Sequence, residues 1–85
     1  MKKEHYQPVA GNIVFPLTTA VFSIAPIMDR SDGTAAVLVK SSLSPRETFD
    51  VVWARVMGLW LIDDMYVEED HDDGSVIYRF EMIKP

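Results

Sequence analysis

The tetrapeptide Ser44-Pro45-Arg46-Glu47 constrains the fold more tightly than any other stretch of this chain. A serine followed three residues later by a glutamate is a capping box, in which each side chain satisfies an amide that the first helical turn would otherwise leave orphaned. Proline at the first helical position loses nothing, because its missing N–H has no intrahelical partner there. Downstream, Phe49, Val52, Trp53, Val56 and Trp60 recur at helical spacing on one face, while Arg46 and Asp50 lie off that stripe. The pattern predicts a helix over 45–59, with Gly58 a weak point near its end. Trp53 and Trp60 are assigned to the core; an exposed one would become an interface anchor.

On either side of this helix the apolar period drops to two. Val76, Tyr78, Phe80 and Met82 alternate with Ile77, Arg79, Glu81 and Ile83, the signature of a half-buried strand. Asp64–Glu69 is its expected partner, joined through the turn Asp70–Gly74, so that 64–83 forms an acidic-tipped hairpin. Before the helix, Thr34–Lys40 reads as a strand with Ala35, Val37 and Val39 on one face. The turn cluster Asp29–Gly33 precedes it. Ile13–Phe15 and Thr18–Met28 read as extended segments, interrupted at Pro16 and ending near Pro26, and residues 1–11 as a flexible arm. The expected fold is α+β: one domain over 1–85, a small antiparallel sheet in the order β-β-α-β-β, with one helix packed across it.

Composition allows that fold without external staples. Of 85 residues, 48% are hydrophobic, enough for a core in a chain of this length. The absence of cysteine removes disulfides, thiolate metal sites and cysteine nucleophiles, and fits a reducing compartment, so a cytoplasmic location is expected. From His5 to Met28 there is no charged side chain, and the chain opens Met-Lys-Lys. Pro8, Pro16 and Pro26 and the polar residues Gln7, Asn12, Thr18, Thr19 and Ser23 make this segment buried strand rather than a membrane or export sequence.

The net charge of −5 is local. The run DDMYVEEDHDDG, Asp63–Gly74, holds seven of the thirteen carboxylates; without it six acids face eight bases, a balance of +2. A chain so arranged is a poor ligand for free nucleic acid, which binds clustered Lys and Arg, and a better one for a basic protein surface. Enzyme chemistry is not expected. His5 lies in the arm, His71 in an acidic turn, no nucleophile neighbours either, and Asp63 and Asp64 alternate in direction along a strand. Nor is a metal or cofactor expected: counting from Asp70, the glycine falls fifth and the twelfth residue is Glu81 inside a strand, unlike a calcium loop.

What remains is a surface. Asp63, Asp64, Tyr66, Glu68, Glu69, Asp70, Asp72 and Asp73 are the candidate partner-binding residues, with Met65 and Ile77 as further apolar neighbours. Same-face carboxylates on a strand recur every ~6.6 Å, near the phosphate spacing of one nucleic-acid strand. The same acids would also keep a hairpin end wet and guard an edge strand. In size, acidity, absence of cysteine and absence of enzyme motifs the chain resembles small phage-encoded inhibitors such as anti-CRISPR proteins; that resemblance carries no residue over and implies an inhibitory binding protein. The expectation is an inhibitor or regulator whose acidic hairpin docks on a basic, nucleic-acid-binding partner surface. The alternative is a non-catalytic structural or assembly subunit acting through its apolar surface or as a homodimer.

Overall fold

In the computed structural model, residues 13–14 and 21–85 are described; the arm over 1–11 and the interruption at Pro16 lie outside them. The strands are β1 (Ile13–Val14), β2 (Phe22–Ile24), β3 (Met28–Asp29), β4 (Thr34–Ser41), β5 (Leu61–Asp70) and β6 (Val76–Ile83), with helix α1 (Pro45–Val56) between β4 and β5. They form one antiparallel sheet in the order β1-β2-β4-β6-β5, with β3 also on β4. The class is the α+β one expected, and the order is slightly richer than two hairpins around a helix.

The centre of the sheet is the pairing of β4 with β6, which runs from Thr34 opposite Ile83 to Ser41 opposite Val76. Strict alternation on both strands divides it into two faces. Ala35, Val37 and Val39 share one face with Met82, Phe80 and Tyr78; Ala36 and Leu38 share the other with Glu81 and Arg79. β2 and β3 occupy the same side of β4 in succession, pairing with Val39–Ser41 and Ala35–Ala36 respectively. Pro26, which has no N–H to donate, sits in the gap between them, so extended structure resumes at Met28 rather than stopping near Pro26.

The turn into β4 is closed by Arg30 N–H donating to Thr34 O at 2.8 Å, while Asp32 Oδ1 accepts from the Thr34 amide and hydroxyl. Gly33, at φ 88°, supplies the left-handed residue that such a turn requires.

Because β4 and β5 both run antiparallel to β6, they are parallel to each other, and a crossover must span β6. Helix α1 is that crossover. Its capping box is formed as the sequence implies: Ser44 Oγ accepts from Glu47 N–H and the Glu47 carboxylate accepts from Ser44 N–H. The helix ends at Val56, three residues short of the expected 59, with Gly58 at φ 86° just beyond its cap.

Its buried face is turned relative to the expected stripe. Thr48, Val52 and Val56 are fully buried, Phe49 is half-buried and Trp53 is 38% exposed. A buried threonine is tolerated because its hydroxyl is satisfied twice, at 2.8 Å from Ser41 Oγ and as a donor to Ser44 O at 2.9 Å. Phe49 still meets the sheet, its ring 6.4 Å from that of Phe80. Trp60, just past the helix, is 8% exposed and joins the core of Val37, Val39, Val52, Val56, Phe80 and Met82. Among the described residues no helix is long and apolar enough to cross a membrane.

Two measurements check these assignments. Ser44→Ala lowers stability by about 1 kcal/mol through loss of the cap, read as a shifted urea midpoint at unchanged m-value. Trp60→Phe leaves Trp53 as the only fluorophore of its kind and shifts native emission to the red; Trp53→Phe shifts it to the blue.

Candidate functional site

The acidic run folds into β5 and the turn after it, and two irregularities in β5 decide where each carboxylate goes. The register shifts between Ile62 and Asp64 and again between Val67 and Glu69, so Asp63 and Glu68 are inserted residues with no counterpart on β6. The first insertion sets the rest of the strand: Asp64 lies opposite Glu81, Met65 opposite Phe80 and Tyr66 opposite Arg79. A regular strand would have placed Asp64 against Phe80 and Tyr66 against Tyr78. The expected alternation of Asp63 and Asp64 is thereby broken: Asp63 lines the same cleft as Tyr66 and Glu81.

Arg79 is the organising group of the sheet face opposite α1. It is 1% exposed, and an isolated guanidinium in that position would cost several kcal/mol in lost solvation. Its Nε donates to Glu68 Oε1 at 2.8 Å, its Nη1 donates to Glu81 Oε2, and its Cζ lies 4.4 Å from the centre of the Tyr66 ring. Glu81 is held from a second side by Arg30, whose Nη1 and Nη2 donate to its two oxygens at 2.7 and 3.2 Å. Tyr66 donates in turn to Asp64 at 2.9 Å. One continuous charged network thus joins the β3–β4 turn, β6 and β5.

The titration behaviour follows from this geometry. Burial opposes ionisation of Glu81, but Arg30 and then Arg79 more than offset it and hold its carboxyl below the ordinary glutamate value of 4.5. Asp64 is lowered by the Met65 amide and then by the Tyr66 hydroxyl, and Tyr66 is raised chiefly because it donates to Asp64. Asp73 is lowered because its Oδ1 accepts from the Ser75 hydroxyl and amide, closing the turn in which Gly74 adopts φ 90°.

The eight residues singled out from sequence therefore separate into two sets. Glu68, Asp64, Tyr66 and Asp73 are engaged inside the protein, in the network or in the turn. Asp63, Glu69, Asp70 and Asp72 are exposed, and among the described residues only Glu69 has a basic side chain within 4 Å, His71, whose Nε2 is 3.0 Å away outside hydrogen-bond geometry. The residues that sequence reasoning missed are Arg30, Arg79 and Glu81. The signal for the last two was present: they share their face of β6 with Ile77 and Ile83, an apolar company unusual for a purely solvated face. Among the described residues, no three His, Asp or Glu side chains are grouped so as to hold a metal ion. No protein-family profile, curated protein or solved structure matches the chain.

Glu81→Gln leaves two guanidiniums without their shared carboxylate and lowers stability by about 3 kcal/mol. Because the folded pKa of Glu81 is depressed, its contribution is complete above the ordinary value of 4.5 and is lost as pH falls through the folded value. Urea midpoints of the wild type therefore fall as pH drops from about 4.5 toward the folded value, and the slope over that interval is shallower in Glu81→Gln.

Proposed function

We propose that the protein is a small non-catalytic binding module, an inhibitor or regulator that sets β5 and the following turn against a basic, nucleic-acid-binding surface of a partner protein. The observation that carries this reading is the coincidence, among the described residues, of free charge with a free edge. β5 ends the strand order, and the acids that the internal network leaves unused, Asp63, Glu69, Asp70 and Asp72, lie along it and its turn. Val67, 54% exposed on the same strand, supplies an apolar contact among them. Complementary fields of this kind raise the rate of encounter and fix orientation, and they weaken with salt. The likeness in size and charge to phage-encoded inhibitors accords with this reading without naming a target.

A second reading, a structural or assembly subunit, is favoured by a different feature. Trp53 near the end of α1 and Met57 at its C-cap are both exposed; Leu59, Leu61 and Ile83 are exposed as well, and Leu61 lies opposite Ile83 in the sheet. Exposed apolar side chains on the helix side and on the opposite sheet face fit self-association through an apolar surface.

Immobilised wild-type protein and the variant Asp63→Asn/Glu69→Gln/Asp70→Asn/Asp72→Asn, which leaves the internal network intact, separate the two in a cell lysate. The expected result is capture of a nucleic-acid-binding protein by the wild type alone, released by salt of about 0.5 M, where screening is nearly complete, and by competing DNA or RNA. Identical capture by both proteins, with a dimeric mass by light scattering, overturns the charge-based reading in favour of the apolar one.

A further inference from the structure

Between the β3–β4 turn and β5 lies a cleft of about 190 Å³, lined among others by Arg30, Asp32, Asp63, Tyr66, Glu81 and Ile83. We propose that it receives one cationic side chain, lysine or arginine, of the basic partner; the inference rests on the docking reading above and gives that surface a specific socket.

The cleft differs from a flat patch of acids in having both a charged end and an apolar wall. A lysine or arginine side chain carries an aliphatic stem below its charge, and it binds best where both are accommodated. Ile83, 38% exposed, and the half-buried ring of Tyr66 form the wall for the stem. Asp63 supplies the charge. Among the described residues its carboxylate has no partner, and it lines the cleft because β5 carries one inserted residue at that position.

Asp32 adds a second carboxylate: its Oδ1 is occupied by the Thr34 amide and hydroxyl, which leaves Oδ2 for a ligand. Arg30 is the one cation among the described lining residues. Both oxygens of Glu81 hold it, so it does not stand as an uncompensated charge against an incoming one. Glu81 is already matched by Arg30 and Arg79, so Asp32 and Asp63 leave the described lining negative, and an ammonium or guanidinium group is the ligand chemistry that completes it.

The test is a titration of the full chain, followed by amide NMR shifts, with three blocked tripeptides: acetyl-Gly-Lys-Gly-amide, acetyl-Gly-Arg-Gly-amide and the uncharged acetyl-Gly-norleucine-Gly-amide. The two cationic peptides are expected to shift the amides of Thr34, Asp63, Tyr66 and Ile83 saturably, and the norleucine peptide to leave them in place. Asp63→Asn weakens the cationic peptides about tenfold, the loss of one charge-assisted hydrogen bond. Glu69→Gln/Asp70→Asn/Asp72→Asn leaves their binding unchanged. Superposition of the remaining Asp63→Asn amides on those of the wild type shows that the fold is intact in that variant. Equal affinity in Asp63→Asn, or shifts centred on Glu69–Asp72 instead, overturns the socket. The titration involves no partner, so its failure leaves docking of β5 to be judged by capture. Cleft-specific shifts without charge-dependent capture uphold the socket and overturn the docking reading alone.

Discussion

A guanidinium buried to 1% exposure is the constraint around which this sheet is arranged. Arg79 sits on β6 between strands on both sides, and burial of its charge is tolerable only if carboxylates reach it and are themselves compensated. Glu68 arrives from β5 and Glu81 from two residues along β6, and Arg30 from the β3–β4 turn shares Glu81. Three separate pieces of chain must therefore be in register for one cation to be stable. Apolar contacts on the other face reward any approximately correct packing, whereas hydrogen-bonded charges are satisfied in few arrangements. The network accordingly ties the edge strand to the rest of the sheet, and it does so on the face that lacks the helix.

The same requirement makes sense of an otherwise disorderly strand. Leu61–Asp70 shows no clean alternation in sequence, because two inserted residues reset its phase. The first insertion puts Met65 against Phe80 and Tyr66 against Arg79; the second places Glu68 out of the ladder, where it bonds to Arg79. Bulges also twist an edge and interrupt its row of backbone donors and acceptors. Register, charge pairing and protection of the edge thus follow from the same two residues, Asp63 and Glu68.

Much of this architecture was legible in the sequence, and the limits have physical causes. The start of α1 was readable because capping chemistry is local: Ser44, Pro45 and Glu47 act within one turn. The phases of β4 and β6 were readable because two-residue alternation needs no knowledge of the partner. The helix face was misjudged because Thr48, polar by composition, is buried through two hydrogen bonds whose partners lie outside the helix, at Ser41 and Ser44. Trp53 followed from the same rotation. In the acidic run the composition was plain, but the distinction between an engaged carboxylate such as Glu68 and a free one such as Asp70 depends on Arg79, eleven residues further along in the case of Glu68. The bulges show in the sequence only as lost alternation, which does not say where the inserted residues fall.

That distinction also bears on how such a surface would work. If all seven acids of the run were equivalent, their removal would report charge and stability together; Glu68, Asp64 and Asp73 belong to the fold, and Asp63, Glu69, Asp70 and Asp72 do not. A partner that added a strand to β5 would need an uninterrupted row of amides and carbonyls, and the two bulges and the row of negative charge work against it. Contact through side chains carries no such requirement. A basic surface can meet four separated carboxylates and an exposed Val67 without a fixed backbone register, so the edge can repel uncontrolled strand pairing and still attract a cationic partner. Protection of the edge and the recognition by charge proposed above would, on this geometry, be two consequences of one arrangement rather than competing explanations of it.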